Sequence, residues 1–184
     1  MREQRAMRGR LRTHMATAAT LSAAHGEREQ RAMRGRARGE IMKTQEVAIY
    51  REIQRNADTA IKALDTLSDK VYDKDLAMQI SRQSLEYTNL RSRAMEALLD
   101  AKAEPYKANQ LADMVQRTGL NYNTLLNTST GHIAELMIKE RNNGVLEMEK
   151  VLKHNEDAGE KPRTLAKELL EFDQNNITTL KSYL

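Results

Sequence analysis

Eight side chains, Val47, Tyr50, Ile53, Ala57, Ile61, Leu64, Leu67 and Val71, recur every three or four residues along a stretch without proline or glycine. Only an α-helix gathers that spacing onto one face, and an apolar face of this length requires another helix to cover it. A second stripe follows at Leu76, Ile80, Gln83, Tyr87, Leu90, Ala94 and Leu98, after a short turn in which Asp73 suits the N-cap position. So short a link makes the two helices antiparallel neighbours. The second is expected to stop before Glu104-Pro105, because the residue ahead of a proline is pushed out of helical geometry.

The same reading continues to the end of the chain. A third helix is expected over residues 107–118, continuing to 125 with a kink or break at Gly119. The run Asn127-Thr-Ser-Thr130 offers cap chemistry for the next helix, from about Gly131 to Lys153. Its core stripe is Ile133, Met137, Glu140 or Arg141, Gly144, Met148 and Val151. Gly144 in mid-helix costs about 1 kcal/mol against Ala, which points to a close helix approach there. Pro162 suits the first turn of the last helix, with Leu165, Leu169, Phe172, Asn176 and Leu180 inward. Ten Met, one Phe, no Trp and only two Pro agree with an all-α protein, since strands favour β-branched and aromatic residues. Met95, Met114, Met137 and Met148 read as core filler. The expected architecture is an antiparallel four-helix bundle.

Residues 1–41 are of another kind. The nonapeptide at 2–10 is repeated letter for letter at 28–36. The segment carries ten Arg and no Lys against four Glu, a net +6. Residues 42–184 carry eight Arg and twelve Lys against twenty-two acidic residues, a net −2. The +4 of the whole chain is therefore an average over two unlike pieces. The head reads in four ways: a nucleic-acid-binding arm, a membrane-surface helix, a disordered or partly helical arm, or a mis-assigned start with translation beginning at Met42. The last is the expectation adopted, because Arg-only usage gives way abruptly to Lys-rich usage. Met15–Ala24 bears only a faint likeness to a targeting segment. No apolar run is long enough to span a membrane, and the absence of Cys excludes disulfides and thiolate chemistry. A cytoplasmic setting is expected.

Four strings, Ser68-Asp-Lys-Val-Tyr-Asp73, Lys102-Ala-Glu-Pro-Tyr106, the run from Asn127 to Ile138, and Ala166-Lys-Glu-Leu-Leu-Glu-Phe172, resemble a family of small ferritin-like four-helix-bundle proteins of anaerobic Gram-positive bacteria. The resemblance covers residues 42–184 and implies a ferritin-like fold and a cytoplasmic setting. It implies no activity.

A ferritin-like metal centre needs a Glu on each of two helices and Glu-x-x-His on the other two. No Glu-x-x-His occurs. The nearest strings are Glu86-Tyr-Thr-Asn89 and Asp173-Gln-Asn-Asn176, whose Asn residues read as core amides hydrogen-bonded across helices. A degenerate iron or manganese site would have to draw on Glu52, Glu86, His132 and Glu135. The alternative for His132 is a structural histidine at a helix start, bridged to Glu52 or Glu86. His154 ends the same helix, where a cation suits the dipole. No phosphate loop and no nucleophile–base set are present. The expectation is a non-enzymatic bundle without a cofactor, acting through self-association, with a homodimer in view, or through partner binding. Ile49, Leu85, Leu99 and Leu146 would lie outside the core stripes and supply the face. Nucleic acid enters only if the arm is used.

Overall fold

The computed structural model describes residues 42–107 and 129–184. The described residues hold four long helices and no strand: α1 Thr44–Ser68, α2 Lys74–Asp100, α3 Thr130–His154 and α4 Glu160–Leu180, followed by a 3₁₀ turn at Lys181–Tyr183. The expected helix over 107–125, its break at Gly119, Met114 and the arginine-rich head lie outside the described residues.

Each helix starts on an identifiable contact. The Asp73 carboxylate accepts from Leu76 N at 2.8 Å and opens α2, as its position before the second stripe implied. Ser129 Oγ accepts from His132 N at 3.2 Å and opens α3. Glu46 does this at two helices at once. One carboxylate oxygen accepts from Lys43 N at 3.0 Å at the head of α1, and the other accepts from Gly159 N at 3.0 Å at the head of α4. A negative charge at two helix N-termini complements both dipoles.

The end of α2 falls before Glu104-Pro105 as expected, but the backbone and not the proline makes it. The helix stops at Asp100, ahead of Glu104-Pro105, and Lys102 takes a left-handed conformation with φ 55°. Ala103 N donates to Leu98 O at 2.8 Å and Lys102 N to Leu99 O at 2.9 Å. That pair of bonds is a Schellman closure, so the terminal carbonyls are satisfied before the proline can act.

The stripes supply the core. Ile53, Leu64 and Leu67 of α1, Leu76, Leu90 and Leu98 of α2, Ile133 and Met137 of α3, and Leu169 and Leu180 of α4 are fully or almost fully buried. α1 packs against all three other helices, α3 against α4, and α2 against α4, whereas the backbones of α2 and α3 stay apart and only their side chains meet. The central place of α1 corrects one expectation. Ile49 is wholly buried, because a helix with three neighbours hides more than one narrow stripe. Leu85, Leu99 and Leu146 are exposed as expected. Gly144 does mark a close approach: Asn56 Nδ2 of α1 donates to its carbonyl at 2.9 Å. The segment after α2 is fastened to α1. Gln54 donates to Tyr106 O at 3.1 Å and accepts from Tyr106 N at 2.9 Å, while Arg51 donates to Glu104 O at 2.8 Å.

Candidate functional site

The charged and polar residues cluster in the interior, where helical spacing sets them one turn apart. Gln83 and Tyr87 share the inner face of α2, Glu140 and Arg141 lie on α3, and Asp173 and Asn176 lie on α4. Tyr87, Arg141, Glu140, Asp173 and Gln83 are each no more than 3 % exposed. The Tyr87 hydroxyl donates a hydrogen bond to Asp173 Oδ1, and Arg141 makes an ion pair with Glu140. The Arg141 guanidinium stands 4.5 Å from the centroid of the Tyr87 ring, whose edge meets Phe172 at 5.0 Å and 72°. The cation thus has an aromatic face and a carboxylate as neighbours, an arrangement that offsets part of its desolvation.

Burial governs the protonation of this group. It pushes the Asp173 carboxyl up to about 7, against the Arg141 charge and the Tyr87 hydrogen bond, with Glu140 adding to the rise. Glu140 is raised as well, burial outweighing Arg141. The Tyr87 phenol is held well above its ordinary range, again chiefly by burial. One guanidinium therefore serves two buried carboxyls, and the least costly state keeps a proton on one of them. Both amide atoms of Gln83, Oδ2 of Asp173 and Nδ2 of Asn176 have no hydrogen-bond partner among the described residues. The set can hold a proton and dictate which helix faces meet. Its burial closes it to a substrate in bulk solvent.

The four residues proposed for a metal do not converge. Glu52 is buried on α1 and bound to Arg55; burial lifts its carboxyl to about 7, with Arg55 opposing and Glu147 adding to the rise. Glu86 is half-buried on α2, where it accepts a hydrogen bond from Asn89 Nδ2 at 3.4 Å. His132 and Glu135 are exposed on the first turns of α3, with His132 Nδ1 3.3 Å from Glu135 Oε2. The structure joins only this last pair. His132 therefore faces outward and meets Glu135, in place of the expected Glu52 or Glu86. Among the described residues no group of three or more His, Asp or Glu could hold a metal ion. Asn89 is exposed, and the Asn176 amide nitrogen lacks the cross-helix bond expected of it. His154 does stand in the last turn of α3, its Nδ1 2.6 Å from Lys150 O.

Sequence reasoning placed Gln83, Tyr87, Asn176 and either Glu140 or Arg141 on core stripes without joining them into a cluster. It passed over Asp173 as a member. The available signal was the coincidence of polar residues at inward positions on three different helices.

The outer face of α2 is the other feature with functional content. Met78, Leu85 and Leu99 stand there in solvent, Leu85 at 73 % exposure. No helix among the described residues is long and apolar enough to cross a membrane. No family model, curated protein or solved structure matches the chain.

Proposed function

We propose that residues 42–184 form a ferritin-like, antiparallel four-helix bundle that catalyses nothing itself and acts through self-association. Helix direction is supported by pairs along the chain. Arg93 of α2 bonds Glu168 of α4 at 2.5 Å, Tyr87 bonds Asp173, and the Tyr183 phenol is raised first by burial and then by the nearby charges of Asp75 and Asp73. As one number falls the other rises, so α2 and α4 run in opposite senses. Glu46 reaches the starts of both α1 and α4, which makes those two parallel. The links at 69–73 and 155–159 are short, whereas residues 101–129 lie between α2 and α3. Two short links and one long one, in that placement, support a ferritin-like connectivity.

The observation that carries the functional reading is the contrast between the two candidate sites. The titratable cluster is sealed, while three large apolar side chains stand outward on one helix. Exposed apolar surface gathered on one face is the signature of an interaction site. Sedimentation equilibrium of the full chain across a concentration series tests this. Reversible dimerisation is expected, and a strict monomer at the highest concentration refutes it.

A further inference from the structure

We infer that the outer face of α2 is one half of a twofold-symmetric interface, on which a second copy of this chain lays its own α2 antiparallel, with the axis passing close to Asn89. The inference rests on the self-association reading and specifies its surface. Met78, Arg82, Leu85, Asn89, Ser92, Glu96 and Leu99 are all exposed and follow one another in alternating steps of four and three residues. That spacing draws a single stripe along a helix, on the side opposite Leu76, Ile80, Tyr87, Leu90, Ala94 and Leu98 in the core.

The stripe is self-complementary when reversed. A twofold axis at Asn89 sets Met78 against the partner's Leu99, and Leu85 over the partner's small Ser92. Asn89 meets its own copy, one amide donating where the other accepts. Arg82 then faces the partner's Glu96, and symmetry makes that pair twice. The charges are available for this: neither Arg82 nor Glu96 has an ion-pair partner among the described residues, whereas their neighbours Arg91 and Arg93 are held by Asp58 at 2.7 Å and Glu168 at 2.5 Å. The two outward charges left on α2's stripe are of opposite sign and equidistant from Asn89. An isologous contact requires this arrangement, because residue i must suit j and j must suit i. A parallel pairing would instead oppose Arg82 to Arg82 and Glu96 to Glu96, and a face lying on lipid has no use for a matched pair of opposite charges.

Charge exchange in the full-length protein tests the assignment, read by sedimentation equilibrium. Arg82→Glu and Glu96→Arg are each expected to weaken dimerisation at least tenfold, and the double variant R82E/E96R to restore it. The variants are exposed, and unchanged helical circular dichroism confirms that each is folded. As an independent readout, Asn89→Cys introduces the only thiol of the chain, which should oxidise to a disulfide-linked dimer far faster than Leu146→Cys on α3. A dimer indifferent to both charge changes, or equal cross-linking of the two thiols, overturns this face while leaving self-association standing. A wild-type chain that stays monomeric, with α2 left to some other partner, overturns both.

Discussion

Gly144 shows how one missing methyl group is used. A Cβ built there would lie 2.7 Å from Asn56 Oδ1 and 3.0 Å from Nδ2, closer than unbonded atoms approach. The Asn56 amide occupies that space and donates to the Gly144 carbonyl at 2.9 Å. Alanine would raise helix propensity by about 1 kcal/mol but would displace a buried amide from its acceptor, at a cost of roughly 1–3 kcal/mol. The second effect wins, since Asn56 is buried and has no solvent to turn to. Gly144→Ala is therefore expected to lower the unfolding free energy by up to about 2 kcal/mol in urea titration. A stabilised variant would mean that α1 and α3 do not meet as described.

At the scale of the helix, α2 ends on a residue poorly suited to its backbone. Lys102 sits at φ 55°, where a β-carbon is crowded and glycine is not. Lys102→Gly keeps both closing hydrogen bonds and removes that crowding. A gain of about 1 kcal/mol is expected, less the extra chain entropy of glycine, seen as a rise of a few degrees in the thermal midpoint. This helix end also shows what the sequence leaves silent. A glycine at 102 would have announced the stop; lysine does not, and Pro105 drew attention too far along. The capping residues Asp73 and Ser129 were legible because their short oxygens have one common use before an apolar run. Asp173 was missed because Phe172 beside it is the more apolar, and neighbouring positions on a helix differ by only about 100°. Phe172 is half-buried against Tyr87, so the two residues share the inward edge. Ile49 was misjudged for the complementary reason, since the number of neighbours around α1 is a property of the assembly of helices. The bridge expected from His132 to Glu52 or Glu86 was misjudged, because its place in the first turn of α3 turns it toward Glu135 and solvent.

The molecule as a whole inherits a pH dependence from its interior. Asp173 rises from 3.8 and Glu52 from 4.5, each to about 7. In that interval the folded protein binds more protons than the unfolded chain, so stability falls as pH rises from about 4 to 7 and remains reduced above it. Asp173→Asn removes the ionisable group while keeping an acceptor for Tyr87. It should raise the unfolding free energy at pH 8 by on the order of 2–4 kcal/mol and by less, roughly 1–2 kcal/mol, at pH 5. Calorimetric midpoints at the two pH values provide the check, and an equal change at both would show that Asp173 is already ionised in the folded protein at pH 5.

The origin of those buried groups also bears on how the chain is made. Tyr87 leaves the ribosome on α2 and Arg141 on α3, and the carboxylate that meets the Tyr87 hydroxyl comes last, on α4. A nascent polypeptide lacking that final segment would have to bury a phenol and a guanidinium without it, at a cost it avoids by staying open. Cooperative closure of this core is thus deferred until α4 has been made.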